Sequence, residues 1–215
     1  MTIGNLRPAT VLIDETAILH NVQHEVARLK KQTQLFAVVK ADAYGHGMLR
    51  VAHVAKAAGA SGFCVALLDE ALDLRAANYT EPVLVLGIVP SQYAAIAAAQ
   101  TVSLPLSSVD WLKQALPVLE AQPELPPLRL HIALDTGMGR IGFTDDQTLL
   151  DAVAFIQAHP KAFTIEGIFT HFATADDPDE AYFKQQVAKF NHMVALLPHR
   201  PRYVHVSNSA TSLWH

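Results

Sequence analysis

Short runs of apolar, often β-branched residues alternate along this chain with longer segments in which apolar residues recur at helical spacing. The short runs predict strands, and most are apolar nearly throughout, as parallel strands covered on both faces are. Seven strands are predicted: Leu35–Val39, Gly62–Ala66, Pro82–Leu86, Thr101–Leu104, Leu128–Leu134, Thr164–Thr170 and Arg202–Val206.

The longer segments predict helices, several of which begin at polar residues that can cap the first turn. A helix is also predicted from Met48, and a last amphipathic one follows from the spacing of Phe183, Val187, Phe190, Val194 and Leu197. The predicted caps and helices are Asp14 before a face of Ile18, Val22, Val26 and Leu29, Ser91 before Gln92–Ala99, Ser107 or Ser108 before Val109–Leu116, and Thr144 before Asp145–Ala158.

Repeated βα units predict an α/β fold, either a doubly wound sheet or a (β/α)8 barrel of the TIM type. Seven strands are one fewer than a closed barrel needs, and the sequence ends a few residues into what should be the seventh helix. We therefore expect a barrel truncated after about the seventh strand. Residues 1–34 would lead into the barrel and residues 35–215 would form its body.

Composition and charge narrow the class of protein further. With 51% hydrophobic and 17% charged residues, the chain has enough apolar material for a globular core. The formal net charge is -4 and the 16 Lys and Arg residues form no stripe, so we expect no nucleic-acid partner. The single cysteine, Cys64, allows no internal disulfide, and no apolar run is long enough for a bilayer, so the sequence predicts a cytoplasmic protein without a membrane partner.

Reactive side chains follow several of the predicted strands. Lys40 follows the first, Arg140 comes from the glycine-rich loop after the fifth, His171 follows the sixth, and Asn208 with Ser209 follow the seventh. Because the carboxyl ends of parallel strands share one face, where active sites are built, we expect these groups to converge.

Lys40 closes an apolar strand, and partial desolvation there would lower its pKa and favour the neutral amine that forms a Schiff base. A solvated lysine at the end of a strand is the simpler alternative. The next segment, Ala41–Gly47, contains Gly45 and Gly47, which allow a tight loop whose backbone approaches a ligand.

Arg140 and two histidines have more than one interpretation. Arg140, in the loop Leu134–Phe143, can present its guanidinium to a carboxylate or phenolate oxygen, or it is a surface arginine in a flexible loop. His171 can stack on an aromatic cofactor, act as an acid or base, bind a metal, or be structural. From its apolar neighbours alone, His205 is predicted to be a core histidine.

Four segments of the chain resemble segments of alanine racemases, in the same order. Ala37–Gly47 closely resembles the pyridoxal-phosphate signature of that family. Asp135–Gly142 resembles its arginine loop, Gly167–Asp176 its Thr-His-Phe segment, and Ser207–Ala210 its Asn-Ser phosphate segment. The chain is therefore similar to the N-terminal, cofactor-binding barrel of alanine racemases.

The resemblance implies that pyridoxal 5'-phosphate is held as a Schiff base on Lys40, which also exchanges the α-proton of D-alanine. It places His171 against the pyridine ring and Arg140 at the cofactor phenolate oxygen and the substrate carboxylate. His205 would belong to a hydrogen-bond chain behind the cofactor, and no metal is implied. The implied cofactor-binding residues are Lys40, Leu86, Arg140, His171 and Asn208, together with Tyr44 and Ser209 on the phosphate.

The implied activity is the interconversion of L-alanine and D-alanine by a homodimer, which supplies D-alanine for peptidoglycan. The family's second base is a tyrosine on a C-terminal β domain, which this sequence lacks. It also lacks the eighth strand, whose arginine faces the pyridine nitrogen in the family. We expect the 215 residues alone to racemise alanine poorly or not at all.

One departure from the family concerns Ala133. Many members have a lysine at this position, which can be carbamylated and then helps to orient the arginine. Because Ala133 leaves Arg140 without that anionic partner, we hypothesise that a bound anion such as chloride takes its place.

Two other functions remain open. A single-domain pyridoxal-phosphate carrier would explain why the sequence ends early, although such a carrier would need an eighth strand to close its barrel. A metal-dependent barrel hydrolase using His171, His205 and Asp176 would draw on the 11 histidines, although no His-x-His pair opens a strand.

Overall fold

A computed structural model describes residues 10–206 and 208–214 of the chain. The residues form two compact units, which divide between Phe63 and Cys64. This division is distinct from the predicted boundary between residues 34 and 35, which stays a prediction.

The first unit begins with a helix whose predicted cap is confirmed. Asp14 Oδ1 accepts a hydrogen bond from Ala17 N at 3.0 Å, as expected for an N-cap. Arg50 Nε lies 3.1 Å from Glu15 Oε1 and joins the first helix to the third. The elements of this unit are α1 (Glu15–Arg28), β1 (Phe36–Val38), α2 (Lys40–Gly45), α3 (Met48–Ala57) and the start of β2 (Gly62–Val65).

The second unit alternates helices and strands, as the sequence pattern predicts. All the predicted strands are present among the described residues, with ends that differ by at most two positions. After the end of β2, the elements are α4 (Leu68–Ala76), β3 (Val83–Val85), α5 (Ala94–Ala99), β4 (Val102–Leu106), α6 (Val109–Glu120), β5 (Leu128–Leu134), α7 (Asp146–Ala158), β6 (Phe163–Thr170), α8 (Ala181–Ala195), β7 (Tyr203–His205) and α9 (Ser209–Trp214).

Strands β3 to β7 pair in chain order, and all these pairs are parallel. Every residue of β3 and β4 is buried, and in β5 only Arg129 is partly exposed, so both faces of these three strands are covered, whereas β6 and β7 are partly exposed. The carboxyl ends of β5, β6 and β7 therefore lie side by side at one edge, where the loops bearing Arg140, His171 and Asn208 begin.

Two predicted caps are wrong, and the Ser107-or-Ser108 alternative is resolved. Ser108 caps α6 by accepting from Asp110 N at 3.1 Å and Trp111 N at 3.3 Å. Ser91 is instead the first residue of a 3₁₀ turn that precedes α5. Asp145 replaces Thr144 as the cap of α7, because its carboxylate accepts from both Thr148 N and Thr148 Oγ1, and a negative charge suits a helix N-terminus.

Candidate functional site

Lys40 is the first residue of α2 and follows the fully buried Val39 at the end of β1. Its side chain is half-buried, and its Nζ lies 5.9 Å from the centre of the Tyr44 ring, while that ring is largely exposed. The structure therefore brings together two of the predicted cofactor-binding residues within the first unit.

The segment after Lys40 forms a tight turn, but residues ahead of the two glycines already adopt the left-handed conformation. Ala41, Asp42, Ala43 and Tyr44 all have φ between 51° and 55°, so consecutive L-residues form a left-handed helical turn. Such a conformation costs roughly 1–2 kcal/mol per residue, and strain of this kind persists only where surrounding contacts hold it. Gly45 and Gly47, with φ of 85° and 91°, end the turn.

Several hydrogen bonds hold this left-handed turn in place. Ala43 N donates to Val39 O and Gly47 N donates to Asp42 O, each at 2.9 Å. Asp42 Oδ1 accepts from Met48 N at 2.8 Å, which satisfies a free N–H at the start of α3. The turn thereby fixes the direction in which the backbone leaves Lys40.

In the second unit, the arginine loop Asp135–Gly142 folds back on its own strand. Asp135 N donates to Phe143 O and Phe143 N donates to Ala133 O, each at 2.9 Å. Asp135 Oδ1 accepts from Gly137 N and Gly139 N, each at 3.0 Å. Arg140 is exposed on this loop, whose backbone is held by these hydrogen bonds.

His171 directly follows β6 and is half-buried between the buried residues Thr170 and Phe172. Thr170 Oγ1 donates to Leu134 O at 2.7 Å and lies 2.8 Å from Thr136 Oγ1. The Phe172 ring meets the Phe183 ring edge to face, with centroids 4.8 Å apart. These contacts hold the start of the His171 segment beside the arginine loop.

The remaining predicted cofactor residues follow β3 and β7. Leu86 is half-buried, and its backbone N donates to Val65 O at 2.7 Å. Asn208 Oδ1 accepts from Thr211 N at 2.8 Å and Thr211 Oγ1 at 2.9 Å, so its carbonyl oxygen caps α9. Ser209 is exposed at the first position of α9.

His205 belongs to a polar network whose other members were not identified from the sequence. His131 Nδ1 lies 2.8 Å from His205 Nε2, and His131 Nε2 lies 3.3 Å from Glu166 Oε2. Ser103 Oγ donates to the same carboxylate oxygen, and Arg129 Nη1 lies 3.4 Å from Glu166 Oε1. Polar residues at 103, 131 and 166 inside apolar strands were the available sequence signal.

Burial and charge in this network shift two pKa values. Burial raises the pKa of Glu166, but hydrogen bonds from His131 and Ser103, with the charges of His131 and Arg129, outweigh it and leave that pKa lowered. Burial, and then the neighbouring His131, lower the pKa of His205 from 6.5 to about 3. His205 is therefore neutral near pH 7, and a charge there would be strongly disfavoured.

The described residues also bear on metal binding and on membrane crossing. No three His, Cys, Asp or Glu side chains in the described parts of the chain are placed to hold a metal ion, and His171, His205 and Asp176 are all described. Among residues 10–206 and 208–214, none of the helices combines the length and apolarity needed to cross a bilayer.

Comparison with protein families decides which family these loops come from. The family model described as "Alanine racemase, N-terminal domain" matches residues 13–215. The chain belongs to the alanine racemase N-terminal domain family. This membership confirms the predicted barrel class, of which the described residues contain seven strands.

Individual alanine racemases are similar to this chain in sequence and in structure. It is 85% identical over 215 residues to an alanine racemase of Lacticaseibacillus casei, covering all of this chain and 57% of that protein. The crystal structure of alanine racemase from E. faecalis matches with a TM-score of 0.95 at 50% identity, covering 100% of this chain and 57% of that one. A Bacillus anthracis alanine racemase with bound L-Ala-P matches with a TM-score of 0.89 at 37% identity, covering 94% and 52%. The chain therefore spans little more than half the length of these relatives.

Proposed function

We propose that this chain forms the pyridoxal-phosphate-binding part of a racemase that interconverts L-alanine and D-alanine. The observation that carries the proposal is the position of Lys40. In a chain of this family, it lies directly after β1 and directly before a strained left-handed turn. A backbone held in a costly conformation beside a reactive amine is characteristic of a functional site.

The side chains present fit the proposed cofactor. The half-buried Lys40 offers an amine for the aldehyde, exposed Tyr44 and Ser209 offer hydroxyl groups for a phosphate, and His171 offers a flat ring. Leu86 and Asn208 would line the remainder. When bound, pyridoxal phosphate bonds covalently to amines and its conjugated ring accepts the electrons left when Cα loses its proton.

The protein's own groups would then direct the proton. Lys40 would bind the cofactor and remove or return the α-proton on one face of the substrate, through Nζ. Arg140, with its planar guanidinium, would orient the substrate carboxylate and the cofactor phenolate oxygen. His171 would keep the cofactor ring in place. Behind that ring, the neutral His205 would contact His131, which in turn contacts Glu166.

The proposed activity needs a second base on the opposite face of the substrate. We propose that a tyrosine on a C-terminal β domain supplies it, from the partner subunit of a homodimer. To test this, the chain is joined to the part of the L. casei alanine racemase that follows the matched region, and the conversion of L-alanine into D-alanine is measured. We expect turnover by the joined protein and little by the 215 residues alone; robust turnover by the short chain would contradict the need for that domain.

Chloride near Arg140 remains part of the proposal. Ala133 is 1% exposed and cannot provide the anionic partner that a carbamylated lysine gives in other members. We expect activity of the joined protein to rise with chloride at constant ionic strength, and a flat response would count against a bound anion.

Attachment of the cofactor to Lys40 is the first prediction to test. After limiting pyridoxal phosphate and borohydride reduction, peptide mapping should find the pyridoxyl group on Lys40. The Lys40→Arg variant keeps the positive charge but should lose the label, whereas Lys113→Arg, at an exposed position of α6, should keep it. Equal labelling of several lysines, or of none, would contradict the proposed site.

A further inference from the structure

One face of α8 contacts the arginine loop at consecutive residues. Tyr182 Oη donates to Gly137 O at 2.7 Å, Gln186 Nε2 to Thr136 Oγ1 at 3.3 Å, and Lys189 Nζ to Asp135 O at 3.0 Å. These three donors are spaced four and three residues apart, so they share one side of the helix. The helix thus holds the backbone from which Arg140 extends.

Gln186 also contacts the His171 segment. Its Oε1 accepts from Ala173 N at 2.9 Å, and its Nε2 lies 3.4 Å from His171 O. The orientation of the amide is fixed, because Ala173 N can only donate and His171 O can only accept. The oxygen and the nitrogen of one amide therefore both form hydrogen bonds. Together they contact the loop that carries Arg140 and the segment that carries His171.

The burial of Gln186 distinguishes it from the other two donors. It is 0% exposed, on a helix whose other buried residues are Phe183, Phe190 and Met193. A buried amide is tolerated only when it is hydrogen-bonded, and an apolar side chain would suit packing alone at this position. The hydrogen bonds are thus the specific contribution of the amide.

We propose that Gln186 is a positioning residue that couples the Arg140 loop to the His171 segment. Its amide sets the spacing between the two segments, so that Arg140 and His171 reach the cofactor together. This inference rests on the proposed function for the roles of Arg140 and His171. The coupling itself is a property of the fold and can be tested without the cofactor.

The first test measures amide hydrogen exchange in the chain without cofactor. Gln186→Met removes every polar contact but keeps a long, flexible side chain, and Gln186→Glu keeps the shape and the acceptor for Ala173 N. Gln185→Glu, at the exposed neighbouring position of α8, is the matched control. Because a typical hydrogen bond contributes about 1 kcal/mol, we expect exchange in Gln186→Met to accelerate about fivefold in peptides covering both 137–140 and 171–173.

The second test measures pyridoxal phosphate binding by absorbance titration. Both Gln186 variants should weaken binding about fivefold or more and shift the absorption band of the cofactor at saturation, whereas Gln185→Glu should match the original chain. A merely structural role would lower the unfolding midpoint and leave the band at saturation unchanged.

The outcomes separate this inference from the proposed function. Faster exchange in both segments, with weaker binding and a shifted band, would support the coupling. Faster exchange in one segment only, or unchanged affinity and spectrum, would overturn it. If the original chain takes no label at Lys40, the proposed function fails, and the coupling is then decided by the exchange data alone.

Discussion

At the scale of single residues, Glu166 joins a largely buried polar cluster in the described sheet. Its side chain is only 9% exposed, yet its carboxylate contacts Ser103, Arg129 and His131. Gly167, the next residue, leaves room for the His131 ring, since any Cβ at that position would overlap it. The cluster thus depends on the Glu166 carboxylate and on the absence of a side chain at Gly167.

Glu166→Gln should destabilise the protein by about 1–3 kcal/mol, because it removes the charged acceptor shared by these partners and leaves buried donors poorly paired. Glu180→Gln, whose partner Lys184 lies 2.8 Å away on the exposed face of α8, makes the same chemical change at the surface and should have little effect. Urea unfolding of both variants gives the comparison. Equal losses in the two would show that the buried network contributes nothing special.

At the scale of elements, the left-handed turn after Lys40 has a strained backbone that hydrogen bonds hold in place. Four consecutive residues, none of them glycine, adopt positive φ, so the turn depends on its capping bonds and on the two glycines that follow. These hydrogen bonds define the position of Tyr44 relative to Lys40 within a segment of five residues.

Ala41→Gly should relieve this strain. The left-handed penalty of about 1–2 kcal/mol exceeds the entropic cost of glycine, about 0.5–1 kcal/mol, so stability should stay level or rise slightly. Ala17→Gly, an exposed alanine in the right-handed helix α1 of the same unit, should lose about 0.5–1 kcal/mol. Denaturant unfolding checks the difference in sign; a loss at Ala41 equal to that at Ala17 would argue against a strained turn.

At the scale of the whole molecule, His205 links stability to pH. Its folded pKa of about 3 lies below the ordinary value of 6.5, so the unfolded chain binds more protons between these values. The free energy of unfolding contributed by His205 is therefore fully present above about pH 6.5 and is lost as the pH falls toward 3.

Removal of His205 should flatten this dependence. In thermal unfolding between pH 7 and 4, His205→Gln should lose less stability than the original chain, although its stability at pH 7 is lower. His199→Gln, an exposed histidine of the same unit, should keep the original slope. Parallel curves for all three proteins would show that His205 is not buried in its neutral form.

Much of the fold and of the candidate site could be predicted from the sequence. The strands follow from runs of apolar residues, and the caps at Asp14 and Ser108 follow from side-chain chemistry within one helical turn. Lys40, Arg140 and His171 were selected as candidates because each follows a strand within a characteristic local segment, and their roles stay predictions. The cap at Asp145 was misplaced by one residue because two neighbouring polar residues could both serve.

The sequence by itself determined the order of strands and helices and the segments that carry the reactive groups, because these depend on neighbours in the chain. Only the tertiary structure decided the left-handed turn, the His131–Glu166–His205 network and the Gln186 bridge. In the turn, capping bonds override the ordinary preference of alanine and tyrosine for negative φ. The network and the bridge join residues as far as 74 and 50 positions apart, and such pairings exist only once the strands and α8 are packed.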